Sequence, residues 1–110
     1  MTDMQRTRDP IYSTLGGDED LSEIVQMFVD EMPHRLTTLL DQLNASQWDA
    51  LRCSAHQLKG AGGSYGFDPI SSCAATLEKN IRSNESEEQI RRAVADLVDM
   101  CRRARAGVPG

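Results

Sequence analysis

Residues 55–66 read AHQLKGAGGSYG, and whether this glycine-rich stretch is a loop or a helix decides the fold. Each glycine inside a helix costs about 1 kcal/mol relative to alanine, so local propensity argues for a loop. Phase argues the other way. At about 100° per residue, Leu51, Ala55, Gly62 and Tyr65 fall within about 60° of Leu58, on one continuous apolar stripe. Trp48 extends that stripe backwards, and the segment is therefore read as a helix that begins after Ser46, with Ser46 and Asp49 as a weak capping box.

The pattern continues outward on both sides. Leu21, Val25, Phe28, Met32, Leu36, Leu39 and Leu43 recur at steps of three and four, which predicts one long amphipathic helix from about Asp20 to Asn44. Pro33 lies inside it and is expected to bend the helix without ending it, because the stripe keeps its phase on both sides. Asp68 and Pro69 read as an N-cap followed by proline at the first helical position, with Ile70, Ala74, Leu77 and Ile81 inward and a stop near Ser83 and Asn84. Ser86 with Gln89 forms another capping box, and Ile90, Val94, Leu97, Cys101 and Ala104 carry a fourth helix. The fold class predicted is all-α, an antiparallel up-down four-helix bundle. Residues 9–15 are expected to form a short N-terminal covering helix over one end, broken by Gly16 and Gly17. A domain spanning 9–106 follows, with 1–8 and 107–110 as flexible termini. No strand pattern is visible.

Composition limits the functions open to such a bundle. A chain of 110 residues with 39% hydrophobic content supports one domain with one modest core. A net charge of -5 argues against nucleic acid or an anionic membrane as a partner. The apolar runs are too short to span a membrane, and the polar start MTDMQRTRDP has no signal-peptide core, so a cytoplasmic protein is expected. With its apolar stripes used internally, the bundle is expected to be a monomer. Cys53, Cys73 and Cys101 are odd in number and lack a CxxC pair, and they are read as small core residues.

A second stripe on the glycine-rich helix, centred roughly 120° from Leu58, carries Arg52, His56, Lys59, Gly60 and Gly63. It faces outward. Gly60 and Gly63 lie one and two turns beyond His56, where helix stability does not account for them, and they make His56 approachable. Gly62 falls on the core stripe and is expected to let a neighbouring helix pack closely. A neutral imidazole is a nucleophile, and cations at i−4 and i+3, Arg52 and Lys59, stabilise an anionic group attached to it. Phosphoryl is the anion best suited to that arrangement.

His56, Lys59 and Gly60, then Gly63 and Gly66, followed by Leu77 and Glu78 on the next helix, resemble the His-x-x-Lys-Gly signature and downstream Leu-Glu pair of histidine-containing phosphotransfer (HPt) domains. The stretch FVDEMPHRLTTL, residues 28–39, is similar to that family's first long helix. The resemblance implies that His56 is the phosphoacceptor through Nε2, that Lys59 stabilises the phosphoryl oxygens, and that Glu78 is a candidate for orienting the imidazole. Gly60 and Gly63 would clear space for a partner, and Arg52 and Arg82 would complete a small positive patch toward it. The partner implied is a response-regulator receiver domain, itself supplied in some systems by a hybrid sensor histidine kinase, with flow from a receiver aspartate to His56 and on to another receiver.

Phosphoryl transfer needs a metal ion and positioned charges around a loose, anionic transition state. The chain has no GxxxxGK[ST] loop, kinase-type glycine loop or carboxylate cluster for magnesium. The expectation is a phosphotransfer protein that is not an enzyme in its own right, with no cofactor of its own and with magnesium on the receiver. Two other readings stand beside it: a receiver-binding bundle that is never phosphorylated, and the phosphoacceptor module of a chemotaxis-type kinase. A di-iron site built on the Glu-x-x-His formed by Glu31 and His34 fails on counting. It needs a second such motif, His56 has Cys53 at the matching offset, and His34 reads as a solvated surface residue.

Overall fold

The computed structural model describes residues 9–108. Four helices account for most of them: α1 Ser22–Asn44, α2 Trp48–Ser64, α3 Asp68–Arg82 and α4 Glu87–Arg103. They form an all-α four-helix bundle in which each helix packs on the next and α4 closes the ring against α1. The core is the sum of the predicted stripes: Val25, Phe28 and Leu39 of α1 meet Leu51 and Leu58 of α2, Ile70 and Leu77 of α3, and Val94 and Leu97 of α4. Pro33 sits inside α1 without ending it. Gly62 does what the core stripe required. A Cβ on it would stand 3.1 Å from the Ser71 amide nitrogen and 3.2 Å from Ile70 Cγ2, so the absent side chain sets how closely α2 and α3 approach. Across this seam Ser71 Oγ donates to the Lys59 carbonyl at 2.9 Å.

The first three helices end alike. At the end of α2 the Phe67 amide donates to the Gly62 carbonyl at 2.7 Å and the Gly66 amide to Gly63 at 3.3 Å, with Gly66 at φ +80. This is the paired closure of a Schellman motif, which needs a left-handed residue just beyond the helix. Ser46 and Asn84 hold the equivalent positions after α1 and α3, at φ +53 and +54. That corrects the reading of Ser46 as an N-cap: it is spent on closing α1, and α2 begins from Gln47 with no side-chain cap. The third helix likewise starts at Asp68 itself, with Phe67 in the cap position and Pro69 in the first turn. Only Ser86 caps as predicted, its Oγ accepting from the Gln89 amide at 3.2 Å.

The N-terminal segment is the larger correction. Residues 9–15 are not a helix: Ile11–Tyr12 is a short strand, β1, paired in parallel with Ala104–Arg105, β2, in the register Ile11 to Ala104 and Tyr12 to Arg105. The segment still covers one end of the bundle. Ser13 Oγ donates to the Tyr65 carbonyl at 2.5 Å, the Thr14 amide donates to the Gly66 carbonyl at 2.9 Å, and Arg103 Nε donates to the Asp9 carbonyl at 2.7 Å. Phe28 packs beneath on Tyr65 and Phe67, with ring centroids 5.0 and 5.6 Å away. These partners lie far away in sequence, and extended backbone reaches them where a helix would bond only to itself. Residues 1–8 and 109–110, expected to be flexible, lie outside the described residues, while Gly107 packs its carbonyl directly against Gly16. Of the cysteines, Cys101 is buried and Cys73 half-buried, but Cys53 is exposed on the outer side of α2 and is not a core residue.

Candidate functional site

The outward stripe of α2 and the facing turn of α3 meet at one carboxylate. Glu78 lies on α3 directly after Leu77, is only 5% exposed, and accepts from three cationic or potentially cationic groups. Its Oε1 takes the Lys59 ammonium at 2.8 Å. Its Oε2 takes His56 Nδ1 at 2.8 Å and Arg82 at 3.1 Å. The hydrogen bond from Lys59 pulls the Glu78 carboxyl down; burial opposes this, the His56 bond and the charges of both partners add to it, and the balance settles at about 2. Glu78 is therefore ionised throughout the physiological range.

An ionised carboxylate only accepts, so the imidazole nitrogen facing it carries a proton. In the neutral ring this places the lone pair on Nε2, at the far edge of a side chain that is 60% exposed. The floor around it is bare: a Cβ on Gly60 would meet nothing within 4 Å, and one on Gly63 would only reach ordinary contact with Ser71 Oγ at 3.6 Å. A nucleophilic nitrogen thus stands fixed in orientation on an open helical face, beside an ammonium and a guanidinium.

Of the residues picked out from sequence, His56, Lys59, Glu78 and Arg82 are brought together, and Gly60 and Gly63 lie on the same face. Arg52 is half-buried one turn before His56 on α2 and makes no ion pair among the described residues. Two features were not foreseen. Lys59 and Arg82 do not project as free cations but converge on Glu78, and Ser71 braces the backbone of Lys59 from α3. The i, i+4 spacing of Glu78 and Arg82 was a usable signal for one of these pairs; the contacts that cross the seam had none. Glu31 pairs with Arg35 at 3.4 Å and His34 is exposed. No group of three or more His, Cys, Asp or Glu residues placed to hold a metal ion occurs among the described residues, and none of the described helices is long and apolar enough to cross a membrane.

Comparison with known proteins adds one finding. The family model of the Hpt domain matches residues 23–107, from the first turn of α1 to just beyond β2. No curated protein and no solved structure gives a match to the chain.

Proposed function

Because the chain belongs to the Hpt domain family, the histidine phosphotransfer modules of two-component systems, we propose that it is a phosphorelay intermediate that accepts a phosphoryl group on His56 from a receiver aspartate and passes it to another receiver. The observation that carries the reading is the hydrogen bond of His56 Nδ1 to a buried, ionised Glu78, which leaves Nε2 outward on a glycine-cleared face.

In this mechanism the Nε2 lone pair attacks phosphorus in line with the aspartyl oxygen. The P–O bond breaks as the N–P bond forms, and the aspartate leaves as a free carboxylate. The ring keeps its Nδ1 proton and gains positive charge, which Glu78 is placed to stabilise at 2.8 Å. Lys59 and Arg82 stand beside the incoming group and offer their remaining N–H donors to its oxygens while still held by Glu78. Because the imidazole is already oriented, little reorganisation separates the resting side chain from the attacking one. Metal and nucleotide chemistry belong to the partners: Hpt domains are phosphotransfer modules without kinase or ATP-binding machinery, and magnesium sits with the receiver. The domain spanning 9–106 acts as the relay module, as a cytoplasmic monomer.

The test is incubation with a phosphorylated receiver and magnesium. The protein should acquire an acid-labile, alkali-stable phosphate, and His56→Gln should abolish it while the helical circular-dichroism signal is retained. Labelling that survives the substitution removes His56 from the mechanism, and robust labelling by ATP and magnesium alone overturns the relay reading.

A further inference from the structure

On the side of the bundle opposite the α2/α3 seam, α1 and α4 border two open hollows, of about 410 Å3 and about 470 Å3. Both are lined by Leu40 and Arg102, so they lie side by side along the α1/α4 boundary and together make a grooved surface there. Its floor is apolar, with Leu43 from α1 and Val94 and Val98 from α4 beside the small Ala95. Its edges are basic: Arg91 at one end, Arg102 in the middle and Arg105 at the other. Arg91 is paired with Glu87 at 2.8 Å, and the one acid in the lining, Asp99, is paired with Arg103 at 3.4 Å. Arg102 has no ion pair among the described residues, and the Arg105 guanidinium donates only to the carbonyls of Arg102 and Ala104. A chain of net charge -5 thus presents a positively edged apolar groove on the face that the His56 cluster does not use.

We propose that this groove docks an acidic amphipathic helix of a partner protein, leaving His56 open on the other side. Charge complementarity selects the occupant: an apolar floor with two unneutralised guanidinium groups on its edge matches a helix with one apolar face and carboxylates flanking it. The groove also sets the length. Arg91 and Arg102 are separated by three turns of α4, roughly 17 Å, which three turns of a partner helix would cover. Occupancy here and phosphotransfer at His56 are compatible, so the groove serves as a tether. This inference does not depend on the phosphorelay reading.

The probe is a synthetic 18-residue helical peptide with leucines on one face and glutamates elsewhere, titrated into the 15N-labelled 110-residue protein. Amide shifts should appear at Leu40, Leu43, Ala95, Val98 and Arg102 and spare His56 and Glu78, and binding should weaken as salt is raised. Ala95 is exposed, so Ala95→Glu should melt like the wild type yet bind about tenfold more weakly, because it places a like charge on the floor. Arg102→Glu should do the same from the edge. The same peptide with lysine for glutamate should not bind. No binding of the glutamate peptide, equal binding of the lysine peptide, or shifts that map elsewhere would each overturn the proposal. So would a dimer of the protein alone that Ala95→Glu dissociates, since the occupant would then be a second copy.

Discussion

Gly62 and Gly63 are neighbours on α2 and lack side chains for opposite reasons. On the inner face, a Cβ at Gly62 would press on the backbone of α3; on the outer face, a Cβ at Gly63 would find room, and one at Gly60 would find open space. The inner absence sets the distance between two helices. The outer absence leaves the packing alone and changes only what can approach from solvent. One residue type, repeated within four positions, therefore sets helix packing on one side of α2 and leaves open surface on the other. The surroundings decide which, not the glycine.

The sharpest way to break this contrast is Gly62→Val. Both methyl groups would have to enter the α2/α3 seam, and overpacking of this kind should lower stability by about 3 kcal/mol, read from urea unfolding. A smaller loss than at an exposed control position would mean that the seam is not set by this contact. Next comes the carboxylate that ties the two faces together. Glu78→Gln should cost roughly 2 kcal/mol at neutral pH, since it removes charge-assisted hydrogen bonds to Lys59, His56 and Arg82. The folded carboxyl titrates at about 2, below its ordinary 4.5. Its stabilisation is thus complete above about pH 4.5 and disappears as pH falls through about 2. Unfolding at pH 7, 4 and 2 should show the gap between wild type and variant closing; a constant gap would deny the charge any role.

On the outer face the effect should be on rate and not on stability. Gly63→Gln should melt within a degree or two of wild type while transfer from a phosphorylated receiver slows about tenfold, or about 1.4 kcal/mol in barrier height. Wild-type transfer would mean that the bare face is not a docking surface. The smallest effect carries the opposite sign: Gly63→Ala, at an exposed and roomy helical position, should stabilise the fold by up to about 1 kcal/mol. Destabilisation there would place Gly63 with Gly62 and collapse the distinction between the faces.

The four helices were legible because their information is periodic. Val25, Phe28, Met32 and Leu36 state the buried face of α1 several times over, so a single disturbance such as Pro33 does not erase it. The site was legible in its members, since His56, Lys59, Gly60 and Gly63 share one stripe at helical spacing. Its wiring was not. That Lys59 turns back onto Glu78 depends on the separation of α2 and α3, which Gly62 controls from the other face. Ser46 shows how a sound local rule fails: with three residues between α1 and α2, the chain used it in a left-handed closure, and no serine remained to cap the next helix. At Cys53 the position off the core stripe outweighs the general tendency of cysteine to be buried, and the thiol is exposed. The β1/β2 pairing had no local signal, as its partners lie at the two ends of the domain.

That pairing also decides how the domain would bear tension. The chain enters β1 beside the end of α4 and leaves β2 beside Ser13, so the two exits lie together and point in opposite directions. A pull on the chain before Ile11 and after Arg105 would therefore slide two parallel strands past each other. Their hydrogen bonds would be loaded together in shear and not peeled one after another. Force would run across this clasp from one end to the other before it reached the helices, and the His56 cluster would keep its shape for as long as the clasp held.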